Sequence, residues 1–321
     1  MMKKIIALIS CITMGISADG KIGGVTYFEY FNAKDKSAFN FNRQYFSYTN
    51  VLSDIIKFKI VFDVGRTNIG SVLIEKNNLY KSEDTRLVVF LKKAQIDYKT
   101  SYGKISMGLI GMNTYGVHEK NWGYRFIEKS AIDKYGFSST TDLGVGFSRS
   151  LIDNLNISLQ VVNGEGYKMY QVDKYHKTSF NATYGESKLN KNDGYNAGVV
   201  YSTESTDSDP TNMISVFSGF SGLGIRIGAE YDMLTKGDEQ FKIISVSVNY
   251  GVMDNLDTYV RYDMWDNNDS VNKNGKNYLI AGVLLNCGEG LSVAPNIRIR
   301  TYEDSEKEVS NEYRVNFQFK F

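Results

Sequence analysis

The 321-residue sequence contains only two prolines, two cysteines and two histidines. After its first 18 residues, no apolar run approaches the ~18 residues that a membrane-spanning helix needs. Cys11 lies in the N-terminal stretch that we expect to be cleaved, so Cys287 is left alone and cannot form an intrachain disulfide. Two histidines and one cysteine give no cluster with zinc-site spacing. A formal net charge of +1 gives no indication of a nucleic-acid partner.

Residues 1–18 have the form of a secretory signal peptide. Lys3 and Lys4 precede an apolar run over residues 5–16, and the small residue Ala18 marks the predicted cleavage site. The sequence therefore predicts export and a mature chain of residues 19–321. The alternative is a lipoprotein, because residues 8–11 read LISC, but the apolar stretch before the cysteine is very short for a lipobox.

The last ten residues, 312–321, alternate strictly between polar and large apolar side chains. Their odd positions read Tyr, Val, Phe, Phe, Phe and their even positions read Glu, Arg, Asn, Gln, Lys. Period-two alternation predicts a strand with one apolar and one polar face. Its ending on Phe321 resembles the last strand of outer-membrane barrels, which the barrel-assembly machinery reads. The alternative is an edge strand of a soluble sandwich, but five exposed apolar residues without a partner argue against it.

The same alternation recurs through the chain, which is also rich in Tyr (23), Phe (18) and Gly (29). Seven short turns of Asp, Asn, Gly and Ser alternate with eight longer polar connections, which predicts 16 strands with the long connections on one rim; spacing errors would make it 14 or 18. The predicted long connections are 32–40, 65–85, 113–139, 164–175, 203–211, 234–239, 266–276 and 302–311. The fold class is therefore all-β, a transmembrane antiparallel β-barrel in contact with outer-membrane lipid.

A 16-stranded barrel has a lumen wide enough for water, so inward side chains are expected to set its selectivity. Alternation places Arg298, Arg300 and Arg314 inward on the last two strands, as one positive wall. This favours a mild anion preference. The alternative is that charges of both signs simply solvate the lumen. The predicted pore-lining cations are Lys57, Lys59, Arg226, Arg261, Arg298, Arg300 and Arg314.

Residues 113–139 form the longest segment without alternation, and they are the third long connection. Helical spacing of apolar residues over 126–131 predicts a short helix there. We expect the segment to fold inward and narrow the pore, with Trp122, Tyr124 and Phe126 anchoring it to the wall; the alternative is an outward loop at the rim. The residues predicted to line this constriction are Lys120, Arg125, Glu128 and Lys129.

Four stretches resemble the phosphate-selective porin O and P family, broadly taken. They are residues 108–112 (GLIGM), 122–129 (WGYRFIEK), 141–147 (TDLGVGF) and 162–167 (VNGEGY). The resemblance implies a trimeric 16-stranded porin with an inward third loop. The family's phosphate-selective members carry a dense lysine cluster and an arginine ladder. Here the loop mixes cations with acids, which fits a more general pore; these residues are Lys120, Arg125, Lys129, Lys134, Glu119, Glu128 and Asp133.

The sequence thus predicts a passive diffusion channel for small hydrophilic solutes or anions, without a cofactor and without enzymatic activity. A structural or adhesive barrel with a plugged lumen is one alternative. An outer-membrane hydrolase is another, and it would need His118 or His176 beside a serine and a carboxylate.

Overall fold

The computed structural model describes residues 20–66, 70–75, 78–83 and 86–321, so the predicted signal peptide lies outside the described residues. The strands are β1 (Lys21–Ala33), β2 (Lys36–Val51), β3 (Ile56–Arg66), β4 (Gly70–Glu75), β5 (Asn78–Glu83), β6 (Leu87–Lys99), β7 (Lys104–Gly111), β8 (Thr141–Ile152), β9 (Leu155–Val162), β10 (Lys177–Gly185), β11 (Gly194–Glu204), β12 (Thr211–Gly222), β13 (Ile225–Lys236), β14 (Glu239–Met253), β15 (Leu256–Asp266), β16 (Lys276–Gly288), β17 (Leu291–Tyr302) and β18 (Ser310–Lys320). The helices are α1 (Gly116–Trp122) and α2 (Ala131–Lys134). Among the described residues, no helix has the length and apolar character needed to cross a membrane.

Sixteen of the strands close into one antiparallel barrel, as the alternation predicts, while β4 and β5 form a separate hairpin between β3 and β6. The barrel closes where β1 pairs with β18. At the end of this seam, the backbone N–H of Phe321 donates to the Gly24 carbonyl at 3.1 Å, and the Gly24 N–H donates back to the Phe321 carbonyl at 3.1 Å. The last residue of the chain therefore belongs to the barrel's closing ladder.

The outer face of the barrel is apolar. On β15, Val260, Tyr262 and Met264 are 47%, 41% and 45% exposed, whereas Arg261 and Asp263 between them are buried inside. Successive side chains of a strand point to opposite faces, so one strand presents an apolar outside and a polar inside. A closed barrel with this outer surface has the architecture of outer-membrane barrels, because it leaves no unpaired backbone edge in contact with lipid.

The seven short turns are confirmed in place, but two of the predicted long connections are wrong. Residues 32–40 and 234–239 are mostly strand, and the actual connections are two residues each, 34–35 between β1 and β2 and 237–238 between β13 and β14. In both cases the strands extend past the apolar band as hydrogen-bonded ladders. The polar composition there reflects solvent at the rim and not the end of strand pairing.

Pro295 lies inside β17. It pairs with Val315 of β18, and the pairing with β16 is interrupted between Asn296 and Val293 and then resumes in the same register. Proline has no N–H to donate. The ladder therefore tolerates it by leaving out pairs on the β16 side.

Candidate functional site

Residues 113–139 lie against the inner faces of β11 to β18, and we call them the inner segment. Helix α1 contacts β12 and β13, and α2 contacts β14. The predicted helix over 126–131 is wrong, because residues 123–130 are non-helical and the helices lie on either side of them. The physical reason is that arginines of the barrel wall, and not the next helical turn, take the Ile127 and Lys129 carbonyls.

Four strands each contribute one long polar side chain that reaches a carbonyl of the inner segment. The Trp122 carbonyl accepts from Arg226 at 3.2 Å and from Asn249 at 3.0 Å. Arg298 donates to the Ile127 carbonyl at 2.6 Å, and Arg261 donates to the Lys129 carbonyl. A buried carbonyl without a partner costs ~1–3 kcal/mol, so these donors make an extended inner segment possible.

An aromatic cluster fixes the middle of the inner segment to the wall. Trp122, Tyr124 and Phe126 are all buried and pack with wall residues that include Tyr259 and Tyr278. The Trp122 and Tyr259 rings meet edge to face with centroids 6.0 Å apart. Aromatic pairs in this arrangement contribute ~0.5–1.5 kcal/mol beyond their buried area. The three aromatic residues that the sequence predicts as anchors therefore pack against the barrel wall.

Gly123 ends α1 in a left-handed conformation, with a φ of 80°. A Cβ added at this position would lie 2.3 Å from the Arg226 guanidinium, which donates to the preceding carbonyl. Glycine therefore serves two purposes here, because it adopts the positive φ without strain and leaves room for the arginine.

A second apolar cluster holds the two helices. Val117, Ala131, Ile132 and Phe137 of the inner segment pack against inward-facing wall residues, which are Val200, Met213, Phe217, Leu234 and Ile243. Simple alternation predicts a polar inner face on these strands. The inner face is apolar here because the inner segment, and not water, covers it.

The positive wall predicted on β17 and β18 is present but compensated. Arg298 is 2% exposed and its Nη1 lies 3.1 Å from Oε2 of Glu128. Arg314 pairs with Glu29 at 3.0 Å, and Arg300 lies 3.7 Å from Glu312. Burial alone would raise the pKa of Glu128, but Lys134 and Arg298 attract its charge and hold that pKa well below its usual range. Glu128 thus faces the wall as a paired carboxylate.

The open space of the barrel lies on the other side of the inner segment. Two adjoining cavities of about 340 and 210 Å³ share Lys92, Arg125 and Thr140, and we call them together the open passage. The charged side chains that line it are Arg43, Lys59, Lys92, Lys93, Arg125, Lys129 and Lys168, together with Glu119, Asp133 and Glu165. Cations therefore outnumber acids on this lining.

A β-bulge directs two neighbouring lysines into the open passage. The register between β3 and β6 shifts so that Val61 opposes Lys93 while Phe62 opposes Leu91, which leaves Lys92 as the extra residue. A bulge interrupts the alternation of the strand. Lys92 and Lys93 consequently both line the same cavity, although a regular strand would send one of them outward to the lipid.

Four of these cations form no ion pair within the described part of the chain. Arg43 pairs with Asp63 at 3.0 Å, and Arg125 pairs with Glu119 at 3.0 Å. By contrast, no carboxylate of the described residues lies within ion-pair distance of the four lysines Lys59, Lys92, Lys93 and Lys168. The Lys92 ammonium instead lies over the Tyr45 and Tyr167 rings, at 4.9 and 5.1 Å from their centroids.

The residues predicted for the constriction separate into two groups. Arg125 and Lys129 line the open passage. Glu128 faces the wall, and Lys120 lies near Lys188 and does not line the open passage. Of the predicted pore-lining cations, Lys59 lines the open passage, and Lys57 lies on the same strand, exposed near a short turn. Arg226, Arg261 and Arg298 contact the inner segment instead. The predicted set of lining residues did not include four residues of the open passage, which are Arg43, Lys92, Lys93 and Lys168.

A buried group of acids surrounds His118 on α1. Its Nε2 lies 2.7 Å from the Ser215 hydroxyl, 3.8 Å from Oε2 of Glu230 and 4.0 Å from Oδ1 of Asp232. In a serine–histidine–acid triad the carboxylate binds the opposite ring nitrogen from the serine. Here both carboxylates face the serine-side nitrogen, so the arrangement differs from that triad. Burial lowers the pKa of His118 to about 3, which keeps the imidazole neutral.

No known family model matches the sequence, and no curated protein does. Solved structures do match. OmpT of Vibrio cholerae in a trimer form has a TM-score of 0.67 at 13% identity over 95% of this chain and 99% of that one. OprB of Pseudomonas putida has 0.67 at 10% over 98% and 96%. An anion-selective porin from Comamonas acidovorans has 0.65 at 9% over 95% and 100%. These likenesses show the porin fold and do not single out the phosphate-selective O and P family.

Proposed function

We propose that this chain is an outer-membrane porin, a passive diffusion channel for small hydrophilic solutes that prefers anions. The observation that carries the proposal is a set of four lysines on the open passage that form no ion pair with any described carboxylate, Lys59, Lys92, Lys93 and Lys168. The inner segment supports it as well, because it covers the β11–β18 side of the lumen and leaves an opening beside a basic wall. The porin fold of the matching structures supports the channel function.

The expected selectivity follows from the local potential. Lysines on a low-dielectric wall raise the potential of a narrow passage by on the order of one kT per unit charge or more. A potential of one kT per unit charge enriches anions and depletes cations by the same factor, so the ratio of anions to cations in the passage rises about sevenfold. At ~0.1 M salt the screening length is ~10 Å, and at 1 M it is ~3 Å, so the preference should weaken with salt.

Reconstitution of the purified protein into a planar bilayer tests this proposal. We expect stable ohmic conductance. In asymmetric potassium chloride we expect a reversal potential whose sign reports chloride preference at ~0.1 M salt and whose magnitude shrinks towards 1 M. A cation-selective reversal potential would contradict the anion preference. Complete absence of conductance from folded protein would contradict the channel itself and favour a plugged structural barrel.

We further propose that three copies assemble into a homotrimer. The trimer form of the Vibrio cholerae protein supports this, as does the family resemblance in the sequence. Electrophoresis of unheated, detergent-extracted protein tests it. We expect a species of about three chains that converts to a single chain on heating, and a single-chain species before heating would contradict it.

Deleting Phe321 is expected to lower the amount of folded barrel in the outer membrane several-fold. The deletion removes both backbone hydrogen bonds between Phe321 and Gly24 at the closing seam, together with the terminal aromatic ring that we expect the barrel-assembly machinery to bind. Heat-modifiable mobility of membrane extracts measures the folded fraction. The matched control is Phe321→Tyr, which keeps the backbone and the ring and should assemble normally. Equal folded amounts of the deletion and the control would contradict the role of this residue.

A further inference from the structure

The group around His118 contains a buried carboxyl group without a hydrogen-bond partner among the described residues. Asp232 is 0% exposed, and neither of its carboxylate oxygens has a hydrogen-bond partner of good geometry within the described part of the chain. The Ser215 hydroxyl, which lies close to it, already contacts His118 Nε2. A buried carboxylate without a partner carries a large desolvation cost. Some further species is therefore needed to neutralise this group.

Neighbouring cations are already bound elsewhere. Arg261 of the wall attracts the charge of Glu230, but it binds both oxygens of Asp263, at 2.7 and 2.9 Å. Across the described ranges, the one ion-pair contact of Glu230 and of Asp232 with a basic side chain is to His118. The two carboxylates together bring a buried charge of about −2 into this group when both are ionised.

The three side chains also converge with metal-ligand geometry. One ligand atom from each of His118, Glu230 and Asp232 lies within 4.8 Å of the other two. His118 and Glu230 additionally line a cavity of about 20 Å³, which is room for roughly one water-sized particle. The ligands of a tetrahedral zinc ion stand roughly 3.4 Å apart, so the separations between the three ligand atoms would shorten by about 0.4 to 1.4 Å on binding.

We propose that His118, Glu230 and Asp232 bind one divalent transition-metal ion, of which Zn²⁺ is the best match. One imidazole nitrogen and two carboxylates form a donor set that zinc accepts in proteins, and the nitrogen disfavours calcium and magnesium, which take oxygen ligands. His118 lies on α1 of the inner segment, whereas Glu230 and Asp232 lie on β13 of the wall. The ion would therefore link the inner segment to the barrel. This inference does not depend on the channel's selectivity.

Metal content of the full-length folded protein tests the proposal. The protein is treated with chelator, refolded with Zn²⁺ in excess, freed of unbound metal and analysed by mass spectrometry for zinc. We expect about one Zn²⁺ per chain, and with Co²⁺ in its place visible d–d absorption bands typical of nitrogen and oxygen ligands. Less than about one tenth of a zinc ion per folded chain would overturn the proposal.

Matched variants assign the ligands. Asp232→Asn and Glu230→Gln keep the side-chain shape and remove a charge, and each is expected to weaken Zn²⁺ binding at least tenfold. His176→Asn is the control, because His176 is the other histidine of the chain and is exposed on a different connection. It should bind as the parent does. If protons neutralise the carboxylates instead, the parent binds no zinc and both acid variants are at least as heat-stable as the parent, which would overturn the metal site.

Discussion

Replacing Lys92 and Lys93 together with glutamine is expected to lower the anion preference of the channel from about sevenfold to about threefold. These residues supply two of the four lysines on the open passage that form no ion pair with any described carboxylate, so their removal halves the uncompensated charge and, to first order, the local potential. The ratio of anions to cations depends exponentially on that potential. The measurement is the reversal potential in asymmetric salt at ~0.1 M, where charges within ~10 Å still act on the passing ion.

The control for this prediction removes the same charge elsewhere. Lys34 and Lys36 lie exposed at the tip of the β1–β2 connection, and Lys34 already pairs with Glu308 at 2.8 Å. The double replacement Lys34→Gln and Lys36→Gln should leave the reversal potential nearly unchanged, because the rim is screened by solvent and salt. If the two double variants shift it equally, net charge and not the lining of the open passage sets the selectivity.

The barrel was predictable because alternation acts residue by residue. In β18, for example, Tyr313 and Phe319 are exposed to the outside at 59% and 42%, as their odd positions predict, while Asn316 is fully buried inside. Lipid imposes this pattern wherever a strand crosses it. The strand limits were less predictable, since residues 32–40 continue β1 and β2 beyond the lipid, where nothing demands an apolar face.

The charged lining was less predictable for two physical reasons. A bulge at Lys92 breaks the alternation from which inward residues are predicted, and it doubles the inward lysines at that point. The partner of a buried arginine can also be distant in sequence: Arg298 and Glu128 are 170 residues apart, so their spacing along the chain does not reveal that this part of the predicted positive wall is neutralised. Two adjacent lysines within an alternating strand were the one available signal, since strict alternation would place one of them in lipid.

The group around His118 was also not predictable from the sequence, because its members are distant along the chain. His118 and Ser215 are 97 residues apart, and the acids come from a different strand again. Metal-ligand spacing along the sequence identifies sites whose ligands share a local motif. It does not identify ligands that meet because a connecting segment folds back into a barrel.

Replacing Arg298 with methionine is expected to loosen the inner segment without unfolding the barrel. Methionine fills similar space but leaves the Ile127 carbonyl without its 2.6 Å donor and removes one of the cations beside Glu128. Breaking a buried ion pair in this way costs about 3–5 kcal/mol. The strand ladders of the barrel remain intact, so the loss falls on the docking of residues 123–130. A loss of about 3 kcal/mol corresponds to roughly a hundredfold faster amide hydrogen exchange there.

Arg300→Met is the matched control, because Arg300 is two residues along the same inner face of β17. Its side chain is 38% exposed and lies 3.7 Å from Glu312, and a pair of that kind contributes at most about 1 kcal/mol. Exchange over residues 123–130 should therefore change little in this variant. In single-channel recordings Arg298→Met should show larger conductance fluctuations than Arg300→Met, because the inner segment borders the open passage. Equal protection of residues 123–130 in the two variants would mean that the aromatic cluster alone holds the inner segment, and that the buried arginine serves only to neutralise Glu128.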